Sequence, residues 1–234
     1  MARFPIVIML ILLSVFFGAQ TVDAQQQLTA IEIYDGMIHY EGDQLLQSPS
    51  IDDYRCTVLE TTVRTGVEAR EIIRKDLYFM EPTFQIQLIE DQPAFYFDDD
   101  LMIVFLESVN LTRERDVRID DVDCFAIRST PKDPAFARYN RIYYVAKEDY
   151  RHVRTIATHS TREYDNLTTT INYTYATQED FVLLSQTNSE TRDGNNNVIA
   201  TITTEYTDYE FGLGLDIEWF ASRVEESRPN PSLN

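Results

Sequence analysis

Residues 139–211 read YNRIYYVAKEDYRHVRTIATHSTREYDNLTTTINYTYATQEDFVLLSQTNSETRDGNNNVIATITTEYTDYEF. Five strand-like segments follow one another in this stretch, separated by the turn-like pieces KEDYR, EYDN, TQED and DGNNN. No helical period fits it. Ile171, Tyr173 and Tyr175 alternate with Thr170, Asn172 and Thr174, and Val198, Ala200, Ile202 and Tyr206 alternate with Thr201, Thr203 and Glu205. A period of two gives each strand one apolar and one polar face. The stretch therefore predicts a large, bent antiparallel sheet with one face packed and the other wet. DGNNN at 193–197 reads as a hairpin, since Gly and Asn tolerate positive φ.

Working toward the N-terminus, the sequence predicts further strands over 53–64, 68–80, 83–89, 94–97, 101–106 and 122–129, with Thr65-Gly66 as a hairpin turn. The segment SVNLTRERDVRIDD (108–121) is polar and predicts a loop or a short covering helix. Leu28 to Leu46 predicts a helix with Ile31, Tyr34, Ile38 and Leu45 near one face and Met37 beside them. Gly36 and Gly42 weaken that helix. The fold class that follows is α+β, mainly β: a strongly curved antiparallel sheet, an incomplete barrel, covered by an N-terminal helix and short helices or loops. The apolar face is larger than this modest cover, and an uncovered apolar face is where a greasy ligand sits.

The chain begins with Arg3, an apolar run from Pro5 to Ala19, and Val22-Asp23-Ala24 before Gln25. This pattern predicts a cleaved signal peptide over 1–24 and an exported, periplasmic protein. One domain over 25–222 follows, with a polar tail over 223–234 expected to be disordered.

Thirty-nine acids against 20 bases give a net charge of −19. Such a surface favours solubility and excludes nucleic acid as a partner, because phosphates are repelled. Cys56 and Cys124 enter an oxidising compartment on export; a disulfide between them and two buried thiols both fit the sequence.

Catalytic equipment is sparse. The histidines are His39, His152 and His159, and the last two, seven apart in one strand, are expected on opposite faces, which disfavours a metal site. The carboxylate runs at Asp98-Asp99-Asp100 and Asp120-Asp121 lack the alternation, glycine and closing glutamate of a calcium loop. No GxSxG, HExxH or GxGxxG occurs. The sequons at Asn110, Asn166 and Asn172 are weak signals in a chain rich in Asn and Thr. No cofactor, metal or enzymatic role is expected.

From Val122 the text VDCFAIRSTPKDPAFARYNRIYYVAKEDYRHVRTIATHSTREYDNLTTTINYT resembles the outer-membrane lipoprotein-sorting, LolA-like family. The closing piece TEYTDYEFGLGLDIEWF and the earlier DYRCTVLETTVRTGVEAREIIRKDLYFMEP fit the same order. RKDLYFMEP and AFYFDDDLMIVF depart from the family's usual Arg-Pro piece and Asp-Gly turn, so no particular receptor is implied. The resemblance implies a half-open β-barrel whose apolar interior takes acyl chains of lipoproteins or other lipids, with a membrane-associated donor or acceptor. Relatives of the superfamily also include envelope sensors that bind a protein or lipoprotein partner. Candidate lining residues are Phe84, Ile86, Leu88, Ile103, Phe105, Ile142, Tyr144, Ile171, Tyr173, Val198 and Ile202; for any single one plain core packing is the commoner role, since inward apolar residues line every barrel.

Overall fold

The computed structural model describes residues 28–42, 51–80, 84–89, 92–97, 99–161, 164–178 and 181–226. The expected signal peptide over 1–24, Leu45 and the end of the tail lie outside them.

Twelve strands form one antiparallel sheet. They are β1 (Asp53–Arg64), β2 (Arg70–Met80), β3 (Phe84–Ile89), β4 (Gln92–Phe97), β5 (Val109–Arg113), β6 (Val117–Ile119), β7 (Val122–Pro131), β8 (Asn140–Ala146), β9 (His152–His159), β10 (Leu167–Gln178), β11 (Phe181–Arg192) and β12 (Val198–Phe211). The order is β4-β3-β2-β1-β12-β11-β10-β9-β8-β7-β5, with β6 pairing the first part of β7 beside β5. Two meanders thus meet at a seam where β1 pairs β12.

Among the described residues three α-helices accompany the sheet: α1 (Ala30–Gly42), α2 (Asp99–Ser108) and α3 (Ile217–Glu226). Helix α2 fixes the curvature. It follows edge strand β4 and leads directly into the opposite edge, β5. Eleven strands laid flat would part those edges by roughly 48 Å at about 4.8 Å per step. A helix of 10 residues spans only about 15 Å. The edges must therefore curl toward each other, and the sheet is an incomplete barrel, as the sequence predicts.

Several expectations change. Residues 101–106 are helical, within α2, rather than a strand. A short apolar run carries no period that separates strand from helix, and here Phe105 and Leu106 pack with the cluster under α1. The polar segment 108–121 is mostly the two-piece edge strand β5 and β6. Its short alternations, Val109-Leu111-Arg113 and Val117-Ile119, were masked by the charges between them. Helix α3 continues past 222 to Glu226.

Helix α1 starts where a capping box dictates. Thr29 Oγ1 accepts the Glu32 N–H at 3.3 Å, and the Glu32 carboxylate accepts the Thr29 N–H at 2.7 Å. Its buried stripe is Ala30, Ile33, Tyr34 and Met37. Ile31, expected on that face, is 55% exposed. Gly36 is the point of closest approach: a Cβ there would lie 2.7 Å from the Tyr150 ring.

The turns obey local chemistry. Gly66 closes the β1–β2 hairpin at φ +81°. In DGNNN it is Asn196, at φ 67°, that takes the left-handed region, while the Asp193 carboxylate accepts the N–H groups of Asn195 and Asn197.

Candidate binding face

Register and alternation divide the sheet into two faces. On one, Ile33, Tyr34 and Met37 of α1 pack on Ile127 of β7 and Tyr143 and Val145 of β8. Following the pairs across β9 to β12 and β1 keeps Thr155, Ile171, Ser189, Ile202 and Thr62 on that same face. It ends in a second cluster around Tyr54, Cys56, Val58, Leu77, Phe79 and Leu183.

The helix-bearing face thus has three zones. The first is the apolar ground beneath α1, where Tyr34 stacks on Phe105 at 5.7 Å and meets Tyr143 edge-on at 5.4 Å. The second is a hydroxyl-rich strip over β9 to β12 and β1. Thr62, Thr155 and Thr204 are buried there, Thr169 and Thr191 share a hydrogen bond at 2.9 Å, and Ile171 and Ile202 are half-buried between them. The third zone is aromatic: Tyr54 stacks on Phe79 at 4.9 Å, and Phe181 lies 5.0 Å from Phe211.

Bulges build this face, and sequence alternation alone misses them. The register shift at Arg55/Thr57, opposite Asp208 at φ 53°, turns Tyr209 and Phe211 to the side of Tyr206. A shift at Tyr144/Val145 does the same for His152. His152 stacks on Tyr173 at 3.9 Å and its Nε2 lies 2.7 Å from Thr155 Oγ1. Thr155, Ala157 and His159 alternate onto that face too, so His152 and His159 share a face, contrary to the expectation from spacing. They remain at opposite ends of the strand, and among the described residues no group of three or more His, Cys, Asp or Glu side chains is placed to hold a metal ion. The side chain of His39 lies outside the description.

Beside the hydroxyls, the face carries a few titratable groups. Lys75 pairs with Glu60 at 2.8 Å, both largely buried. Arg141, opposite Ser129 and Ala157, forms no ion pair among the described residues; it is partly withdrawn from water, and the neighbouring Tyr143, Tyr34 and Tyr173 outweigh that and raise its pKa. Burial holds His152 neutral, with its pKa pushed down to about 3. Burial pushes the Cys56 thiol up to about 12 and raises that of Cys124. Such thiols are inert. Between the bulged ends of β9 and β10, a cavity of about 360 Å³ opens beside His152 and Tyr173, bordered by Ile119, Val122, Arg151 and Asn172.

The expected lining residues divide between the two faces. Phe105, Ile171, Tyr173 and Ile202 belong to the helix-bearing face. Ile142 and Tyr144 alternate to the opposite face. Ile86 and Leu88 are also opposite, buried against Phe220 of α3 with Tyr78 and Trp219 around them. Val198 is half-buried at the end of β12. Phe84 and Ile103 lie in β3 and α2, and their side chains are outside the description. Both cysteines are free and buried. Five strands separate β1 from β7 along the sheet, so of the two readings the unbridged one holds.

No protein-family model matches the chain, and no curated protein matches it. Solved structures do. A LolA superfamily protein from Nitrosomonas europaea superposes with TM-score 0.50 at 14% identity, covering 82% of this chain and 97% of that one. A putative outer membrane lipoprotein-sorting protein domain from Vibrio parahaemolyticus gives 0.54 at 13% identity, over 82% and 98%. A DUF1329 family protein from Desulfovibrio piger gives 0.52 at 12% identity, over 80% and 96%. At these identities the likeness is one of fold, and the chain has the curved-sheet fold of the LolA-like, outer-membrane lipoprotein-sorting proteins.

Proposed function

We propose that the protein is an exported periplasmic carrier that binds the acyl chains of lipoproteins or other lipids on its helix-bearing face. The observation that supports this most is the continuity of that face. Two apolar clusters, one beneath α1 and one aromatic, are joined by a strip where Ile171 and Ile202 stay half-buried among hydroxyls. An amphiphile laid along it exchanges water for apolar surface at about 0.8 kcal/mol per methylene. Arg141 and the neighbouring tyrosines offer a cation and donors to its polar end. Affinity then grows with chain length, and loading requires α1 and α2 to give way. The fold shared with the lipoprotein-sorting domain supports the same reading. In this role the chain has no chemistry to perform, which fits the inert thiols and neutral His152.

The test is organic extraction and mass spectrometry of protein purified from the exported fraction, together with displacement of a fluorescent fatty-acid analogue. We expect co-purifying acyl lipid, saturable binding, and loss of at least tenfold in affinity for Ile202→Asp. Protein that carries no lipid and shows no saturable binding would overturn the carrier role.

A further inference from the structure

We propose that Arg141 and the hydroxyls of Tyr34, Tyr143 and Tyr173 form a headgroup site for a lipid that ends in an oxyanion, a phosphate or a carboxylate. Given the carrier role proposed above, on which this rests, the cargo is then an anionic lipid and not the uncharged acyl end of a lipoprotein. The motive is a departure from the rest of the molecule. The chain has 39 acids against 20 bases, and most of the described bases sit against a carboxylate: Arg55 on Asp76, Lys75 on Glu60, Arg113 and Lys147 on Asp116, Arg128 on Glu114, Arg154 on Asp120. Arg141 does not, although it stands on the face proposed to take the cargo.

Register places Arg141 between Ser129 of β7 and Ala157 of β9, with Thr169 of β10 next across. Tyr143, two residues along β8, projects from the same face. Its ring meets Tyr34 of α1 at 5.4 Å and lies 5.8 Å from His152, which stacks on Tyr173 of β10 at 3.9 Å. Rings from α1, β8 and β10 are thus packed together beside one guanidinium, and all three phenols raise its pKa. Tyr34 and Tyr143 are buried while Arg141 keeps contact with water, so the rings are fixed and the cation stays within reach of a ligand. The neighbours that face it across the sheet and from α1 are uncharged: a serine, an alanine, a threonine and tyrosines. Of the acids on the covering helices, Glu32 is held by Thr29 in the capping box, and Asp35 and Glu107 are exposed; none of them forms an ion pair with Arg141. His159, two residues past Ala157 on the same face, can add only positive charge.

An amphiphile laid over this face takes Arg141 further from water. An uncharged head then leaves a buried cation without a counter-charge, which is costly. The acyl end of a lipoprotein, with its ester, amide and thioether groups, is such a head. A phosphate or carboxylate instead supplies the missing charge and accepts from the planar guanidinium, through two parallel N–H groups when bidentate. Each phenol can donate its O–H to a further oxygen. The net charge of −19 slows the approach of an anion and is screened at moderate salt, but it does not change which groups meet the head once it is bound.

The experiment takes the full chain, purified from the exported fraction and delipidated on a hydrophobic resin. An uncharged dye, N-phenylnaphthylamine, is displaced by dodecyl phosphate, dodecanoate or dodecanol, one tail with different heads, each below its micelle-forming concentration. Both anions are expected to bind about tenfold more tightly than dodecanol, or better. Either order between the two anions supports the proposal, and the order separates a phospholipid source from a fatty acid. Arg141→Gln should bring both anions down to the level of dodecanol, and Arg141→Lys should restore part of the gap. Tyr34→Phe keeps the ring, removes the hydroxyl and should narrow the gap by about fivefold. Arg70→Gln removes the same charge from the other face of β2, opposite Val63, and should leave the gap as it is in the wild type. The proposal is overturned, and the carrier role kept, if dodecanol binds the wild type as tightly as the anions or if Arg141→Gln leaves the gap intact. If no compound displaces the dye, the carrier role falls and the proposal with it. Circular dichroism checks that each variant is folded, and the comparison of heads on the wild type stands without them.

Discussion

The carboxylate of Asp53 accepts the backbone N–H of Leu215 at 2.7 Å, across 162 positions of sequence. Its other oxygen accepts the N–H of Leu213 at 2.6 Å. Asp53 is 4% exposed, and the segment it holds bends through Gly212 and Gly214 at positive φ before Asp216 caps α3. One side chain at the head of β1 thereby sets where α3 lands on Ile86 and Leu88. Asp53→Ala removes two hydrogen bonds to a buried carboxylate and should cost about 3–6 kcal/mol at ~1.5–3 per bond to a charged group. Urea denaturation measures the loss. Hydrogen exchange should show the amides of Leu213 and Leu215 opening first, with α3 following.

His152 gives a pH dependence of definite sign. Its pKa is about 3 in the fold and near 6.5 when unfolded. Between those values the unfolded chain binds a proton and the folded chain does not, so stability falls as pH falls. The contribution is whole above about pH 6.5 and drains at up to roughly 1.4 kcal/mol per unit below it. His152→Gln should flatten the difference in unfolding free energy between about pH 7 and pH 5, above the range where most carboxylates titrate.

The two thiols should be silent in the native state and both countable in the unfolded one. Thiol titration without reductant should find no fast-reacting cysteine in the folded protein and two in denaturant, since Cys56 and Cys124 are buried and unbridged. A single thiol-free species in denaturant would show that the strands come together elsewhere than in this sheet.

Gly36→Ala, which usually favours a helix, should destabilise here by about 1–3 kcal/mol through overpacking. The added methyl meets Tyr150 Cδ1 at 2.7 Å. Trimming the partner should relieve the clash, so that Gly36→Ala combined with Tyr150→Ala costs less than the two changes summed. Thermal melts of the four proteins close that cycle.

Much of this arrangement is legible in the sequence because a period of two survives in β1, β10 and β12. Tyr54, Cys56 and Val58 declare their face, as do Ile171 and Tyr173. What alternation cannot carry is a residue that breaks it. Asp208 and the shift before Val145 each turn the side chains beyond them, so Tyr209, Phe211 and His152 join a face that counting denies them. Ile86 and Leu88 show the converse. Their alternation is clear, but which side of the sheet it addresses depends on the distant α3. Apolar text at 101–106 was ambiguous for a third reason, because its burial against α1 is decided by partners and not by its own period.

The β1–β12 seam has a consequence for the order of events. Strand β1 ends at Arg64, and its partner there, Ala200, is synthesised 136 residues later. Without β12, both β1 and β11 have an open edge. The two halves are joined late, by contacts far apart in sequence, a topology that folds slowly. In a chain built in this way the last strand is the keystone, and the two halves of the sheet become one only when it is in place.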